Sequence, residues 1–356
     1  MISSFLTLYE AKGLDMLKKS LVLLLVGLLT VFVLAACGEK SQSDVVRALE
    51  KKMDEMSGYK AKGKMTLQTG SEPQEYEIEI WFKAPEYYRV NLKNSQKEQS
   101  QMILRNDEGV FVLTPALNKS FRFQSEWPQN SSQAYLYESL IKDIVNDPEA
   151  TFSAAENKYV FETKTNYQNN KMLPTQEITF NKKDLSPSSV KVMDTDKNPL
   201  VIVEFTKFEF NASFDDNSFD VEKNMSSAQI EVPTMASGDN ESFAVKYPLE
   251  MPEGFSLVEE NEVKTENGKR VIATFEGNEK SFTLIQESAE IAAPASASTS
   301  TYVNGQPTDL GFTIGAMSDT TLTWTHDGVD YMLASEDLSE DEMLMVAKSI
   351  QGQAAK

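Results

Sequence analysis

Glu75-Tyr76-Glu77-Ile78-Glu79-Ile80-Trp81-Phe82 is the stretch whose reading decides the fold. Apolar side chains recur at every second residue from Tyr76 to Phe82, with carboxylates or Trp81 between them. A period of two places one set on a buried sheet face and the other set on the opposite face. The pattern continues outward from there. Tyr88, Val90 and Leu92 repeat it, as do Met102 and Leu104. Asp107-Glu108-Gly109 is a turn that returns the chain through Val110 to Leu113, and Phe121 and Phe123 mark the next strand. Short strands separated by turn residues read as an antiparallel meander.

Helical spacing brackets this meander. Asp44 is suited to cap a helix running to about Met56, with Val46, Leu49, Met53 and Met56 on one stripe. Tyr137, Leu140, Ile141, Ile144 and Val145 form a second apolar stripe, which Asn146-Asp147-Pro148 ends. Strands are then predicted at about 150–155, 158–165, 175–182, 188–194 and 199–212. Asp194-Thr195-Asp196-Lys197-Asn198 invites a calcium reading, but an EF-hand loop needs Gly at its sixth place and Glu at its twelfth. Pro199 and Phe205 stand there, so the segment reads as a hairpin turn, as does Asp215-Asp216-Asn217.

Residues 224–240 lack a period and read as a linker. Beyond them a smaller α+β unit is expected. Asn267-Gly268 and Asp327-Gly328 are two-residue hairpin signals. Residues 292–301 are low in complexity and read as a mobile loop. Ser339-Glu340-Asp341-Glu342 is a capping box, Leu338 is placed to staple to Met343, and Val346, Ala347 and Ile350 complete a buried helix face. The expected class is α+β, mostly antiparallel β, with domains at 44–223 and 241–356.

Ahead of the folded part lies an export signal. Met16-Leu17-Lys18-Lys19 is a basic n-region, Leu21 to Val33 an apolar h-region, and Leu34-Ala35-Ala36-Cys37 a small-residue cleavage site. Residues 1–36 therefore read as a signal peptide with its start at Met16, Cys37 as a lipidated N-terminus, and 37–43 as anchor and tether. The alternative is a single transmembrane helix, although the apolar run is short for a span of roughly 20 residues. The reading places the protein on the extracytoplasmic face of the cell membrane.

Composition excludes much chemistry. Cys37 is the single cysteine and His326 the single histidine, which removes disulfides, thiolate zinc sites and Cys-His nucleophile pairs. His326 sits in Trp324-Thr325-His326-Asp327-Gly328 and reads as a solvent-facing hairpin residue. No cofactor or metal site is expected. A net charge of −20 argues against nucleic acid as a partner.

Lys83-Ala84-Pro85-Glu86-Tyr87-Tyr88-Arg89-Val90, then Asn106-Asp107-Glu108-Gly109-Val110-Phe111-Val112-Leu113-Thr114-Pro115, resemble two segments of the LolA-like and RseB-like lipoprotein-sorting family. Phe214 to Phe219 resembles that family's closing strand. The resemblance covers about 44–222 and is nearest to the anchored, sporulation-associated YdcC type of Gram-positive bacteria. It implies an incomplete, curved β-barrel with plugging helices around an apolar cavity. The residues assigned to line it are Tyr76, Ile78, Ile80, Phe82, Val90, Leu92, Met102, Leu104, Phe111 and Leu113. The same face would equally suit a filled core, and Trp81 and Tyr87 fall on the other side. From Tyr247-Pro248 and Pro252-Glu253-Gly254-Phe255 onward, through Phe282 to Gln286 and Leu322-Thr323-Trp324, the chain resembles the DUF4367 type of envelope domain.

The expected function is non-covalent binding of a lipid, lipopeptide or lipoprotein acyl chain by a membrane-anchored, non-enzymatic lipoprotein. The alternative is a regulatory or scaffold protein that meets an envelope protein partner. A hydrolase built on paired acids is a third class, and no pair among the 54 acids stands out by spacing.

Overall fold

The computed structural model describes residues 40–68, 73–95, 100–129, 132–167, 172–231, 243–265, 268–289, 300–303, 305–310 and 312–350. Residues 1–36, read above as a signal peptide, Cys37, residues 232–240 of the expected linker, Asn267 and most of 292–301 lie outside these.

Helix α1 (Gln42–Glu55) starts three residues earlier than a cap at Asp44 implies. Its cap is Ser41, whose hydroxyl accepts from the Asp44 N–H at 3.3 Å, while the Asp44 carboxylate accepts from the Ser41 N–H at 3.2 Å. Asp44 is thus the third-position partner of the cap. Leu49 and Met56 are buried, and Val46 and Met53 half-buried.

Six strands follow as a meander: β1 (Gly58–Leu67), β2 (Gln74–Lys83), β3 (Tyr87–Asn94), β4 (Ser100–Asn106), β5 (Gly109–Thr114) and β6 (Lys119–Phe123). Helix α2 (Tyr137–Asn146) interrupts them. The chain resumes as β7 (Thr151–Ala154), β8 (Lys158–Lys164), β9 (Thr175–Asn181), β10 (Pro187–Met193) and β11 (Pro199–Phe210). Strand β11 closes back on β1, so the order is β6-β5-β4-β3-β2-β1-β11-β10-β9-β8-β7. The turn at Asp194 is held by its own side chain, which accepts from the N–H groups of Asp196 and Asn198, both at 2.8 Å. Strand β7 is an outer edge that does not meet the other end of the sheet, so the barrel is incomplete.

Register sorts the side chains. Ala61, Ile80, Val90, Ile103 and Val112 are successive cross-strand partners from β1 to β5, and Tyr59, Phe82 and Tyr88 form a parallel row. On the other half, Val203, Val190, Ile178 and Phe161 continue this inner face. The β1–β11 ladder carries a bulge at Lys62/Gly63, where a Cβ on Gly63 would meet the Glu204 carbonyl at 2.6 Å. The outer face is charged: Glu79 bridges Lys62 at 3.1 Å and Arg89 at 2.9 Å, and the Arg89 guanidinium lies 4.2 Å from the Trp81 ring centre.

The ten residues assigned to one inward face divide between two. Tyr76, Ile78, Ile80, Phe82, Val90 and Leu92 share the inner face. Met102 pairs with Asn91 and Leu113, and Leu104 pairs with Arg89 and Phe111, which puts Met102, Leu104, Phe111 and Leu113 on the outer face. An offset of one residue moves every side chain of a strand to the other side. The offset is hidden in the sequence because Met102-Ile103-Leu104 and Val110 to Leu113 are buried on both faces.

The cover on that outer face is α3 (Val221–Glu231), in part of what the sequence presents as linker. Met225 and Val221 pack on Met102, Leu104, Phe111 and Leu113. Asp220 accepts from the Lys223 N–H at 2.7 Å, and Asn224 accepts from Arg89 at 2.7 Å. Residues 214–219 form a turn feeding this helix, where a closing strand and hairpin are expected from the sequence; the Phe214 and Phe219 rings pack tilted, 5.3 Å apart, beside Trp81 and Tyr87.

The second sheet contains β12 (Ser256–Thr265), β13 (Gly268–Gly277), β14 (Lys280–Ser288), β16 (Gln306–Asp309), β17 (Ile314–Met317), β18 (Thr321–His326) and β19 (Val329–Ala334). Their order is β12-β13-β14-β19-β18-β17-β16. Asp327 and Gly328 both take positive φ, 53° and 72°, as their two-residue turn requires. Trp324 and Tyr331 stack across it at 5.0 Å. Helix α4 (Glu340–Ser349) has the expected capping box, with Met343, Val346, Ala347 and Ile350 buried. His326 does not face solvent: its side chain is 10% exposed and packs edge-on to Phe312 at 4.7 Å. Between β14 and β16 the chain contributes β15 (Thr301–Val303), which joins the first sheet parallel to β6 as its twelfth strand.

Met225→Ala should lower stability by about 2 kcal/mol or more, as for other buried methionines, read as a shifted urea midpoint with unchanged slope. Val258→Ala on the exposed strand β12 should stay within about 0.5 kcal/mol.

A buried-acid cleft under helix α2

Helix α2 is amphipathic with a polar exception. Tyr137, Leu140, Ile141 and Ile144 are buried, as its spacing demands, while Val145 at the stripe's edge is 44% exposed. Its start is fixed by rings: Tyr137 lies 5.3 Å from Phe210, 5.6 Å from Phe208 and 6.2 Å from Tyr59. The helix therefore lies on the inner sheet face, and it carries two acids there with it.

Glu138 accepts from the Tyr59 hydroxyl at 3.2 Å, and that hydroxyl accepts from the Tyr137 N–H at 3.2 Å. The second oxygen, Oε1, is shut off from water and has no hydrogen-bond partner. Burial pushes this carboxyl up to about 7, since the charged form loses its hydration. Asp143 is better provided: it accepts from the Ser132 hydroxyl and the Gln176 amide, both at 2.7 Å. Burial still raises it to about 6. The Thr163 hydroxyl donates to the Asp143 carbonyl at 3.1 Å, so the middle of α2 is clamped to β8 and β9 by polar bonds as well as apolar contact.

A cleft of about 460 Å³ opens beside these acids. Met53 and Met56 at the end of α1, Phe82, Ala84, Pro85 and Tyr88 at the β2–β3 end, Pro128, and Leu136, Ile141 and Val145 on and before α2 supply its apolar wall. Glu50, Asp54, Glu138, Lys142 and Asp143 supply its charges. Of the ten residues assigned by sequence, Phe82 alone lines it. Ile78, Ile80 and Val90 are sealed in the core, and Tyr76 and Leu92 border a smaller cavity of about 60 Å³ with Phe312 and His326. Glu138, Asp143, Tyr59, Ser132 and Gln176 carried no sequence signal, because an acid on a helix and an isolated Ser or Gln are ordinarily solvated. Among the described residues, no group of three or more His, Cys, Asp or Glu is placed to hold a metal.

An open antiparallel sheet plugged by helices, with a cleft at the plug and a second smaller sheet, is the architecture that holds the site. The chain belongs to the family of YdcC-like sporulation proteins, which its residues 17–219 match, while residues 246–350 match the domain of unknown function DUF4367. It is 63% identical over 339 residues to sporulation protein YdcC of Bacillus subtilis (strain 168), covering 95% of this chain and 99% of that protein. Among solved structures, the MucA/MucB complex of Pseudomonas aeruginosa is similar at 14% identity and a TM-score of 0.33, over 87% of this chain and 99% of the matched one. A LolA superfamily protein from Nitrosomonas europaea is similar at 11% identity and a TM-score of 0.29, over 49% and 96%.

The pH dependence has a definite sign. Glu138 binds its proton more tightly folded than unfolded, so between its ordinary 4.5 and about 7 the native state holds the extra proton and stability falls as pH rises. Asp143 acts in the same direction between 3.8 and about 6. Glu138→Gln keeps an acceptor for Tyr59 and removes the buried charge. It should match the parent at pH 4.5 and exceed it at pH 8, by on the order of 1–3 kcal/mol, in denaturant melts at the two pH values.

Proposed function

We propose that this protein is a lipoprotein anchored through Cys37 at the extracytoplasmic face of the cell membrane, and that it binds the acyl chain of a lipid, lipopeptide or lipoprotein without covalent chemistry. The cleft between α1 and α2 carries this reading. Its volume of about 460 Å³ falls within the roughly 300–1,000 Å³ of ligand sites, and half of its lining is apolar or aromatic, with Met53, Met56, Phe82, Leu136 and Ile141 among it. Burying a chain there would contribute about 0.8 kcal/mol per methylene, offset by immobilisation of both partners. Anchoring rests on the Leu34-to-Cys37 sequence.

A second reading, a scaffold that contacts an envelope protein, is favoured by β12. This ten-residue edge strand is exposed along nearly its whole length, with Leu257, Val258 and Val263 at 43%, 51% and 46% exposure. Edge strands of this kind accept an added strand, although the glutamates Glu259, Glu260 and Glu262 guard it.

Native mass spectrometry of residues 38–356, purified without detergent, separates the two. A discrete acyl-lipid mass is expected, lost on organic extraction and absent from a Val145→Trp variant that fills the cleft mouth. A clean apo mass that also takes up no added diacyl lipid would leave the scaffold reading.

A further inference from the structure

Strand β12 ends the second sheet. Among the described residues nothing pairs with its outer side, which leaves a row of backbone N–H and C=O groups at strand spacing. An extended polypeptide matches such a row group for group. Apolar exposure concentrates on the same strand. Leu257, Val258 and Val263 are three of the seven large apolar side chains exposed among the described residues, so the patch belongs to this strand and not to the surface at large. Register adds a charge pattern. Glu260 and Glu262 pair with Ala273 and Val271, whose side chains are buried, so both carboxylates stand on the core side of the sheet; Glu259 and Val263 stand on the other. Lys264 is the strand's one cation. Neighbours answer the acids only in part: the Tyr247 hydroxyl donates to Glu260 at 2.5 Å, the Asn261 amide to Glu259 at 2.9 Å, and Lys269 lies 3.5 Å from Glu262.

A second copy of the chain does not suit this edge. Antiparallel self-pairing centred on Glu260 sets that residue against itself, and centring on Asn261 sets Glu260 against Glu262. Like charges directly opposite oppose pairing, and each copy carries a net charge of −20. Resting on the reading of β12 as a partner-binding edge, we propose that it takes one further strand from a protein partner: an extended segment whose lysines or arginines face Glu259, Glu260 and Glu262, with apolar residues against Val263 and the bulge at Leu257 and Val258. In antiparallel pairing that segment reads apolar, basic, any, basic, basic, apolar from its N-terminal end. The glutamates then work in both directions, excluding self-association and admitting a cationic strand.

The test uses the full mature lipoprotein in phosphatidylcholine nanodiscs, with empty nanodiscs as the blank. The probes are the end-capped peptide Val-Lys-Thr-Lys-Lys-Val-Thr, its counterparts with Gln or Glu in place of Lys, and the Lys peptide with every backbone amide N-methylated. The Lys peptide should bind about tenfold more tightly than the Gln peptide, the Glu peptide should be weakest, and N-methylation should abolish binding. Amide hydrogen exchange should slow across 257–264 in the complex. Glu260→Lys combined with Glu262→Lys should reverse the order of the Lys and Glu peptides. Equal binding of the Lys, Gln and Glu peptides, with 257–264 protected, would overturn the charge selectivity and leave β12 standing as a partner edge. Binding that survives N-methylation, or leaves 257–264 unprotected, is attraction to the acidic surface at large and would overturn the docking site. Protection of 257–264 that rises with protein concentration before any peptide is added would give the edge to a second copy and overturn it as well. Failure of every peptide to bind would overturn the selectivity and the edge reading together, with the glutamates acting as guards alone.

Discussion

The structure depends on one constraint: an antiparallel sheet with an apolar inner face that does not close on itself. A closed barrel fills its interior with its own side chains. Here β7 and β15 end the sheet without meeting, and the inner face that carries Tyr59, Phe82, Ile80 and Phe161 has to be covered by something else. Helix α2 does this, anchored through the rings of Tyr137, Phe208 and Phe210. A ten-residue helix is shorter than the sheet it covers, and the cleft at its flank follows from that mismatch.

Covering the sheet with α2 has an electrostatic consequence. Four buried apolar positions draw the helix inward, and Glu138 and Asp143 go with it. Asp143 is compensated by two strong donors, which makes it a specific latch between the helix and β9. Glu138 is compensated on one oxygen only. Incomplete satisfaction of a buried acid lowers stability, and such residues concentrate where a protein meets its ligand. Two acids on one helix therefore have different physical roles.

The outer face follows the opposite logic. Over β1–β3 it is solvated by ion pairs such as Lys62–Glu79–Arg89. Over β4 and β5 it turns apolar and is closed by α3 through Met225 and Val221. Arg89 stands at the boundary, bridging Glu79 on the sheet and Asn224 on the helix. The second sheet is attached nearby: β15 extends β6, Lys119 pairs with Asp330 at 2.7 Å, and Gln101 accepts from the Ile314 N–H at 2.6 Å.

The sequence by itself determined the strands of the meander, the α2 stripe, the Asp194 and Asp327-Gly328 turns and the α4 capping box. Each of these rests on local periodicity or on a side chain that bonds its own backbone. Tertiary structure alone decided which face Met102, Leu104, Phe111 and Leu113 occupy, because a strand apolar on both sides has no parity to read until a neighbour fixes its register. It also decided that residues 221–231 are helical, since their few apolar residues acquire meaning only against β4 and β5. The cleft was the least legible feature. Glu138 and Asp143 look like ordinary helix acids, and only the sheet beneath α2 removes their water and makes one of them an acceptor without a donor.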